Sequence, residues 1–292
     1  MSNLNDLCLD LAWSHWTGLG VRGVFAPPPD ATDLEALILF TTTLGHIDPR
    51  LHDEALDWCA KFARETVAIS RLRRLLTRLP SEQQEAFGEF AGALHQHVDL
   101  KWPAARPPVH RYRLSGKSRL PTPLVRPSLL QLRARRLFGT SARVEIMMHF
   151  VLSPEGTLAS ASELAALGYA KQNISVILDD FVDAATLERV QSGNQHQYRL
   201  LRHGTWRELL EPLPTSWPPW HLRLPILAGL RSTLERVEKK ADIVKDIEVA
   251  KELQRHLPAF RMMGFADGRV PTKGHASRGI VEWADEALIR VR

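Results

Sequence analysis

Apolar residues recur at three- and four-residue steps along most of this chain, a period that predicts amphipathic helices rather than strands. Near the N-terminus Leu7, Leu11, Ala12 and Trp16 hold that spacing, and the run Ala26-Pro27-Pro28-Pro29 breaks it. Leu34, Leu37, Ile38 and Phe40 begin a second helix. Asp48-Pro49, a capping residue followed by proline, starts a third that carries Leu51, Ala55, Trp58, Cys59 and Phe62. Residues 68–79 and 82–98 supply two more, so 1–99 reads as a helical bundle domain with Trp13, Trp16 and Trp58 as core anchors. A second break, Pro212, Pro214, Pro218 and Pro219 mixed with Trp217 and Trp220, opens a helical C-terminal region, 211–292. Its helices span 222–237 and 243–257, with paired charges such as Glu235 with Lys239 and Glu248 with Lys251, and 264–279 reads as loop. No internal repeat is present.

Between these regions the pattern changes. Residues 143–152 place Val144, Met147, Met148 and Val151 on one helical face, followed by the turn Ser153-Pro154-Glu155-Gly156. A short second helix opens with Ser160 and Glu163 at capping-box spacing and stops at Gly168, a residue suited to the left-handed end of a helix. The third helix, 170–184, lines Ile174, Ile177, Leu178, Phe181 and Val182 along one stripe. Lys171, Gln172, Asn173 and Ser175 stand at its start and largely off that stripe, where a recognition helix meets base edges. Strand-like runs at 186–190 and 197–201 flank the turn Ser192-Gly193-Asn194, a hairpin signal. The resulting wing, 191–197, offers Ser192, Asn194 and His196 to a phosphate backbone or minor groove, with Arg189, Arg199 and Arg202 adjoining.

The segment from Arg135 through Gly139 to Arg143, leading into Val144-Glu145-Ile146, is followed by Ala161-Ser162-Glu163-Leu164-Ala165 and Ala170-Lys171-Gln172-Asn173-Ile174, and then by a wing bearing Tyr198-Arg199-Leu200. In this order it resembles the winged-helix domain of bacterial transcriptional regulators of the ArsR and MarR type. The resemblance covers about a fifth of the chain, within a unit at 128–210. It implies a mainly α fold with a short β-hairpin wing, sequence-specific binding of double-stranded DNA, and a homodimer on a palindromic site. The flanking lengths depart from that pattern, and no cysteine or histidine cluster suggests the metal sensing found in some ArsR proteins.

Charge sharpens the picture. The chain carries 38 Lys and Arg against 33 Asp and Glu, a net +5 that favours an anionic partner. Between Leu100 and Val144 there is no acid, while Lys101, Arg106, Arg111, Arg113, Lys117, Arg119 and Arg126 lie in a proline-rich linker, 100–127. A helix beginning at Ser128 then carries Arg133, Arg135 and Arg136 towards Arg143, with Leu129, Leu132 and Leu137 as its anchors to the bundle. Next to a DNA-reading motif, these four arginines are expected to track the phosphate backbone. The alternative is a solvated linker whose arginines pack on, or pair with, neighbouring domains. The segment 69–76 reads either as a second basic DNA-facing helix or as a surface helix with its leucines turned inward.

Two cysteines, Cys8 and Cys59, are too few for a disulfide framework or a four-thiolate zinc site. No signal-peptide layout and no apolar run of membrane-spanning length is present, so a cytoplasmic protein is expected. The sequence has no phosphate-cradling glycine loop, dinucleotide fingerprint or zinc-protease motif. His95 with His97, and His46 with His52 and Asp53, lack the spacing of a fixed ligand set, so neither an active site nor a metal or other cofactor is expected. Two functions remain. One is a DNA-binding regulator, a repressor, whose N-terminal domain senses a ligand or protein. The other is a protein-interaction factor, antitoxin-like, that neutralises a partner enzyme and autoregulates its operon.

Overall fold

The structure, a computed structural model, describes residues 3–108, 112, 114–265, 269–272 and 274–290; Arg111 and Arg113 of the basic run lie outside the described residues. The protein is mainly helical with one small antiparallel sheet. The N-terminal helices are α1 (Leu4–Gly18), α2 (Leu34–Thr42), α3 (Pro49–Thr66), α4 (Ile69–Leu76) and α5 (Ser81–His95). Side-chain caps explain three of the starts: Asn3, Asp33 and Asp48 each accept a backbone N–H from the first turn that follows. Every residue of α2 is buried, and it packs against α1, α3, α4 and α5. It is therefore the central helix of this part of the molecule.

The linker 100–127 contains no helix or strand among its described residues until a short 3-10 turn at Pro127–Leu129. It lies against the bundle. Trp102 stacks on Phe87, the Arg106 N–H donates to the Gly88 carbonyl, and the Ser118 N–H donates to Asp57 at 3.0 Å. Gly92 is needed for this close approach, because a Cβ there would stand 1.5 Å from the Arg106 carbonyl oxygen.

The chain continues through α6 (Leu130–Phe138), α7 (Ala142–Leu152), β1 (Ala159–Ser160), α8 (Ala161–Leu164) and α9 (Lys171–Asp183). A hairpin follows, β2 (Leu187–Ser192) and β3 (Gln195–Leu200), turning on Gly193 and Asn194. The strand order is β1-β3-β2, with Ala159 opposite Tyr198. The capping box forms as its spacing predicts: the Glu163 N–H donates to Ser160 Oγ, and the Ser160 N–H donates to Glu163 Oε2. The last helices are α10 (His203–Leu209), α11 (Trp220–Val237), α12 (Asp242–Arg255), α13 (Leu257–Met262) and α14 (Ile280–Ala284), the last running into a π-turn at Asp285–Ile289. No helix among the described residues is long and apolar enough to cross a membrane.

Two hydrophobic cores result. The larger joins residues from α1–α5 to Leu224, Ile226, Leu227, Leu253, Phe260 and Leu288, so the helices at the two ends of the chain share one interior. The break expected between 1–99 and 211–292 is a break in sequence but not in packing. The smaller core gathers α7, α9 and the sheet around Ile146, Phe150, Ile174, Leu178, Leu187 and Tyr198. At roughly 1.5–3 kcal/mol for each fully buried aliphatic side chain, such a core holds its helices and hairpin together. Helix α6 and the turn before it straddle the two: Leu129 of the turn and Leu132 enter the larger core, Leu130 and Ala134 the smaller. Leu137, expected as a third anchor, is 55% exposed; it is turned outward, on the face that also carries Arg136. Cys8 and Cys59 are buried and free, and burial pushes the Cys8 thiol up to about 12.

A fully buried ionic network lies where the cores meet. Arg71 of α4 donates to Asp33 Oδ1 and Oδ2 at 2.5 and 2.7 Å and to Glu35 Oε2 at 2.7 Å. Arg135 of α6 donates to both oxygens of Glu35, at 2.7 and 2.9 Å, and to Glu145 of α7 at 2.5 Å. Glu145 also accepts from the Tyr169 hydroxyl, and Glu35 from the Ala68 N–H. The arginines hold the Asp33 and Glu35 carboxyls below the usual carboxylate range, overcoming the opposing effect of burial. Buried ions of this kind need every partner in place, which fixes how the two cores sit against each other.

Candidate nucleic-acid interface

The turn between α8 and α9 is held by that network. Arg71 Nε donates to the Leu167 carbonyl at 2.7 Å, and Gly168 follows at φ 102° in the left-handed region. A Cβ at Gly168 would also press to 3.1 Å from Arg71 Cγ and Leu75 Cδ2, so glycine is required there both for conformation and for space. Helix α9 then begins at Lys171. No side chain caps it, so its first amides project from the surface without a side-chain acceptor. Its inner face buries Ile174, Ile177 and Leu178.

The residues singled out for DNA divide into three groups. Lys171, Gln172 and Asn173 are exposed at the start of α9, and Ser192, Asn194 and His196 are exposed at the hairpin tip. Ser175 is half-buried, and its hydroxyl donates back to the Lys171 carbonyl at 3.1 Å, within its own helix. The arginines are placed differently from expectation. Arg135 has a side chain only 1% exposed and belongs to the buried network, so it cannot reach a phosphate backbone. Arg133 is half-buried and donates to the carbonyls of Leu124, Leu210 and Pro212 at 2.6–2.7 Å, tying the linker to the segment after α10. Arg136 pairs with Glu65 at 2.6 Å, and Arg143 pairs with Asp180 at 2.5 Å and lies over the Phe181 ring; both are at the surface. Within the acid-free run, Arg106, Arg135, Arg136 and Arg143 are thus matched by acids from elsewhere in the chain.

On the hairpin, Arg189 pairs with Asp179 and Arg199 with Glu188. From Ala142 to Leu200 four Lys or Arg face seven Asp or Glu, so this part of the surface is not basic in itself. The positive charge beside Lys171 comes instead from other helices. Arg74 of α4 and Arg78 in the turn after it, together with Arg255 of α12, line the same cavity as Lys171. Arg255 pairs with Glu252 at 3.0 Å and Arg78 donates to the Ala166 carbonyl at 3.5 Å, whereas Arg74, Arg78 and Lys171 make no ion pair among the described residues. The 69–76 segment does turn its leucines inward, with Leu72, Leu75 and Leu76 buried, while Arg73 and Arg74 face out. Of the two readings of this segment, the surface helix with its leucines turned inward is the one that forms, and its exposed face carries arginine. Arg255 was not singled out, and only its place at the far end of α12 reveals it.

Of the histidines weighed as candidate ligands, His52 and His95 are engaged elsewhere. His52 is buried between Phe90 and Tyr112, and His95 Nε2 accepts the Trp102 N–H. Among the described residues no cluster of three or more His, Cys, Asp or Glu has the arrangement of a metal centre. Compared with known proteins, the chain matches no family model, no curated protein and no solved structure.

Proposed function

We propose that residues 128–210 form a winged helix-turn-helix that binds duplex DNA, with α9 in the major groove and the β2–β3 hairpin on the backbone or minor groove. The observation that carries this reading is the start of α9. Three exposed polar side chains, Lys171, Gln172 and Asn173, stand on an uncapped first turn, presented by a left-handed glycine turn and followed by an antiparallel hairpin with an exposed polar tip. Amide side chains suit adenine edges, and lysine suits guanine or phosphate. Backbone contacts in this reading come from Lys171, Arg74, Arg78 and Arg255, not from Arg133 and Arg135. The protein then acts as a transcriptional regulator, a repressor by occlusion of its operator, which carries with it a cytoplasmic location. Two copies on a palindrome would meet through α12, whose Ile243, Val244 and Ile247 are exposed.

Fluorescence anisotropy against the DNA upstream of the gene, and against random duplex, tests the proposal. About four phosphate contacts give a log–log salt slope near −4, or roughly a hundredfold loss of affinity between about 50 and 200 mM salt. Gln172→Ala or Asn173→Ala should cost about 1–3 kcal/mol on the specific site and little on random DNA. No binding at low salt, or equal losses on both sequences, would overturn it. A second reading is favoured by a separate observation: the acidic balance of 142–200 and the 57% exposure of Val176 on the outer face of α9 suit a protein partner. In that reading the chain is the antitoxin-like interaction factor, and a stable complex with a neighbouring gene product would form in place of a DNA complex.

A further inference from the structure

A cavity of about 490 Å³ opens between α2, α4, the α8–α9 turn, α11 and α13. Its size is in the range of small-molecule sites, roughly 300–1,000 Å³. The walls are apolar: Phe40, Leu75, Leu224, Ala228 and Met262 all face it. The charged residues that line it are of one sign, although Arg255 among them is paired with Glu252 behind the wall. Arg74, Arg78, Lys171 and Arg255 line it and are exposed, which puts them at its mouth, and no aspartate or glutamate lines it among the described residues.

One polar group inside lacks a partner. The His221 side chain is 5% exposed and lines the cavity, yet neither ring nitrogen makes a hydrogen bond; Nδ1 stays 3.6 Å from Asp33 Oδ2. A buried polar group is ordinarily satisfied, so an unsatisfied one facing an apolar space marks where a ligand's polar atom or a water would sit. The pKa of Arg78 is lowered, first by desolvation and then by the nearby charges of Arg74 and Arg71, which an arriving anion would relieve.

We propose that this cavity binds a small amphiphilic carboxylate. The apolar body lies on Phe40, Leu75, Leu224 and Ala228, and the carboxylate accepts hydrogen bonds from Arg78 and Lys171 at the mouth. Arg74 and Arg255 add attraction at longer range. The order of affinities follows from the lining: an apolar body alone gains contact area, whereas an anionic head also gains charge-assisted hydrogen bonds. The site does not rest on the DNA reading, since its residues come from five parts of the chain and are assembled without nucleic acid.

Isothermal titration calorimetry on the full chain, with octanoate and 1-octanol as probes, tests this. Octanoate should bind saturably at one site per chain and at least about tenfold more tightly than 1-octanol, the difference expected of one or more charge-assisted contacts. The double variant Arg78→Gln/Lys171→Gln should lose about tenfold or more for octanoate and leave 1-octanol unchanged. Ala228→Phe, which fills the cavity, should abolish both. Melting curves without ligand identify any variant that fails to fold; the two surface substitutions carry the test if Ala228→Phe does fail. No saturable octanoate binding up to millimolar concentration, equal affinity for acid and alcohol, or a folded Arg78→Gln/Lys171→Gln variant that binds octanoate as before would overturn the proposal.

Discussion

Arg135 and Arg136 are adjacent in sequence, and replacing each by alanine should have very different consequences. The Arg135 side chain is 1% exposed and makes hydrogen bonds to Glu35, to Glu145 and to the Thr66 carbonyl. Removing it leaves Arg71 as the only arginine against three buried carboxylates, Asp33, Glu35 and Glu145. Breaking a buried ionic set by removing one partner costs about 3–5 kcal/mol. At roughly 2–4 °C per kcal/mol for a chain of this size, Arg135→Ala should melt about 10 °C or more below the parent. Arg136 is 48% exposed and pairs with a Glu65 that is 62% exposed, so Arg136→Ala should cost less than about 1 kcal/mol and move the melting point by no more than about 3 °C. Calorimetric melting near neutral pH, with and without high salt, reads both variants. Salt should screen the Arg136 pair and leave the Arg135 deficit in place. Neutralising the stranded acids in the variant Arg135→Met/Glu35→Gln/Glu145→Gln should recover part of the loss, because a buried ionic set replaced as a whole is often close to neutral. If Arg135→Ala melts within about 3 °C of the parent, the ionic network is not what joins the two cores.

That contrast also explains which features the sequence reveals and which it hides. Features set within a few residues are legible: the Asp48-Pro49 start, the Ser160–Glu163 capping box, the left-handed Gly168, the apolar stripe of α9 and the Gly193-Asn194 turn all form as their spacing predicts. Helical periodicity says which face is buried but not against what. Nothing in the pattern of 222–257 shows that these helices complete the core begun by α2. Strand β1 has two residues, too few for alternation to show, and α10, α13 and α14 are each shorter than two full turns. Charge patterning fails for a stronger reason. The acid-free run suggested free arginines, yet Glu35 lies 100 residues from Arg135 and Asp180 lies 37 from Arg143. An ion pair joins residues that the fold brings together, so local composition cannot tell a phosphate-binding arginine from a structural one. The exposed start of α9 was legible because helix geometry alone sets it there. The cations beside it, Arg74, Arg78 and Arg255, needed the tertiary structure.

Two further outcomes follow from packing and from titration. Gly92→Ala should lower the urea midpoint, even though alanine is favoured over glycine in a helix by about 1 kcal/mol, because the added Cβ would meet the Arg106 carbonyl oxygen at 1.5 Å; a raised midpoint would show that the linker is free to move away. Lowering the pH should weaken the fold before the buried carboxyls of Asp33 and Glu35 begin to titrate. Burial holds His15 and His52 down to about 4, against about 6.5 when unfolded, so between those values the unfolded chain binds protons that the folded chain does not. Their contribution is complete above about pH 6.5 and is lost as the pH falls towards 4, whereas the depressed carboxyls of Asp33 and Glu35 begin to lose theirs only as the pH falls below their ordinary range, near 4. Between about pH 7 and pH 5 each histidine should remove about 2 kcal/mol of unfolding free energy. His52 stacks on Tyr112 and meets Phe90 edge-on, so His52→Phe keeps the aromatic packing while deleting the titration. Urea unfolding at the two pH values should show the drop shrinking by about 2 kcal/mol in this variant. A variant whose stability falls as steeply as the parent's would mean that His52 is protonated within the folded protein at no cost, and that its burial does not control the acid response.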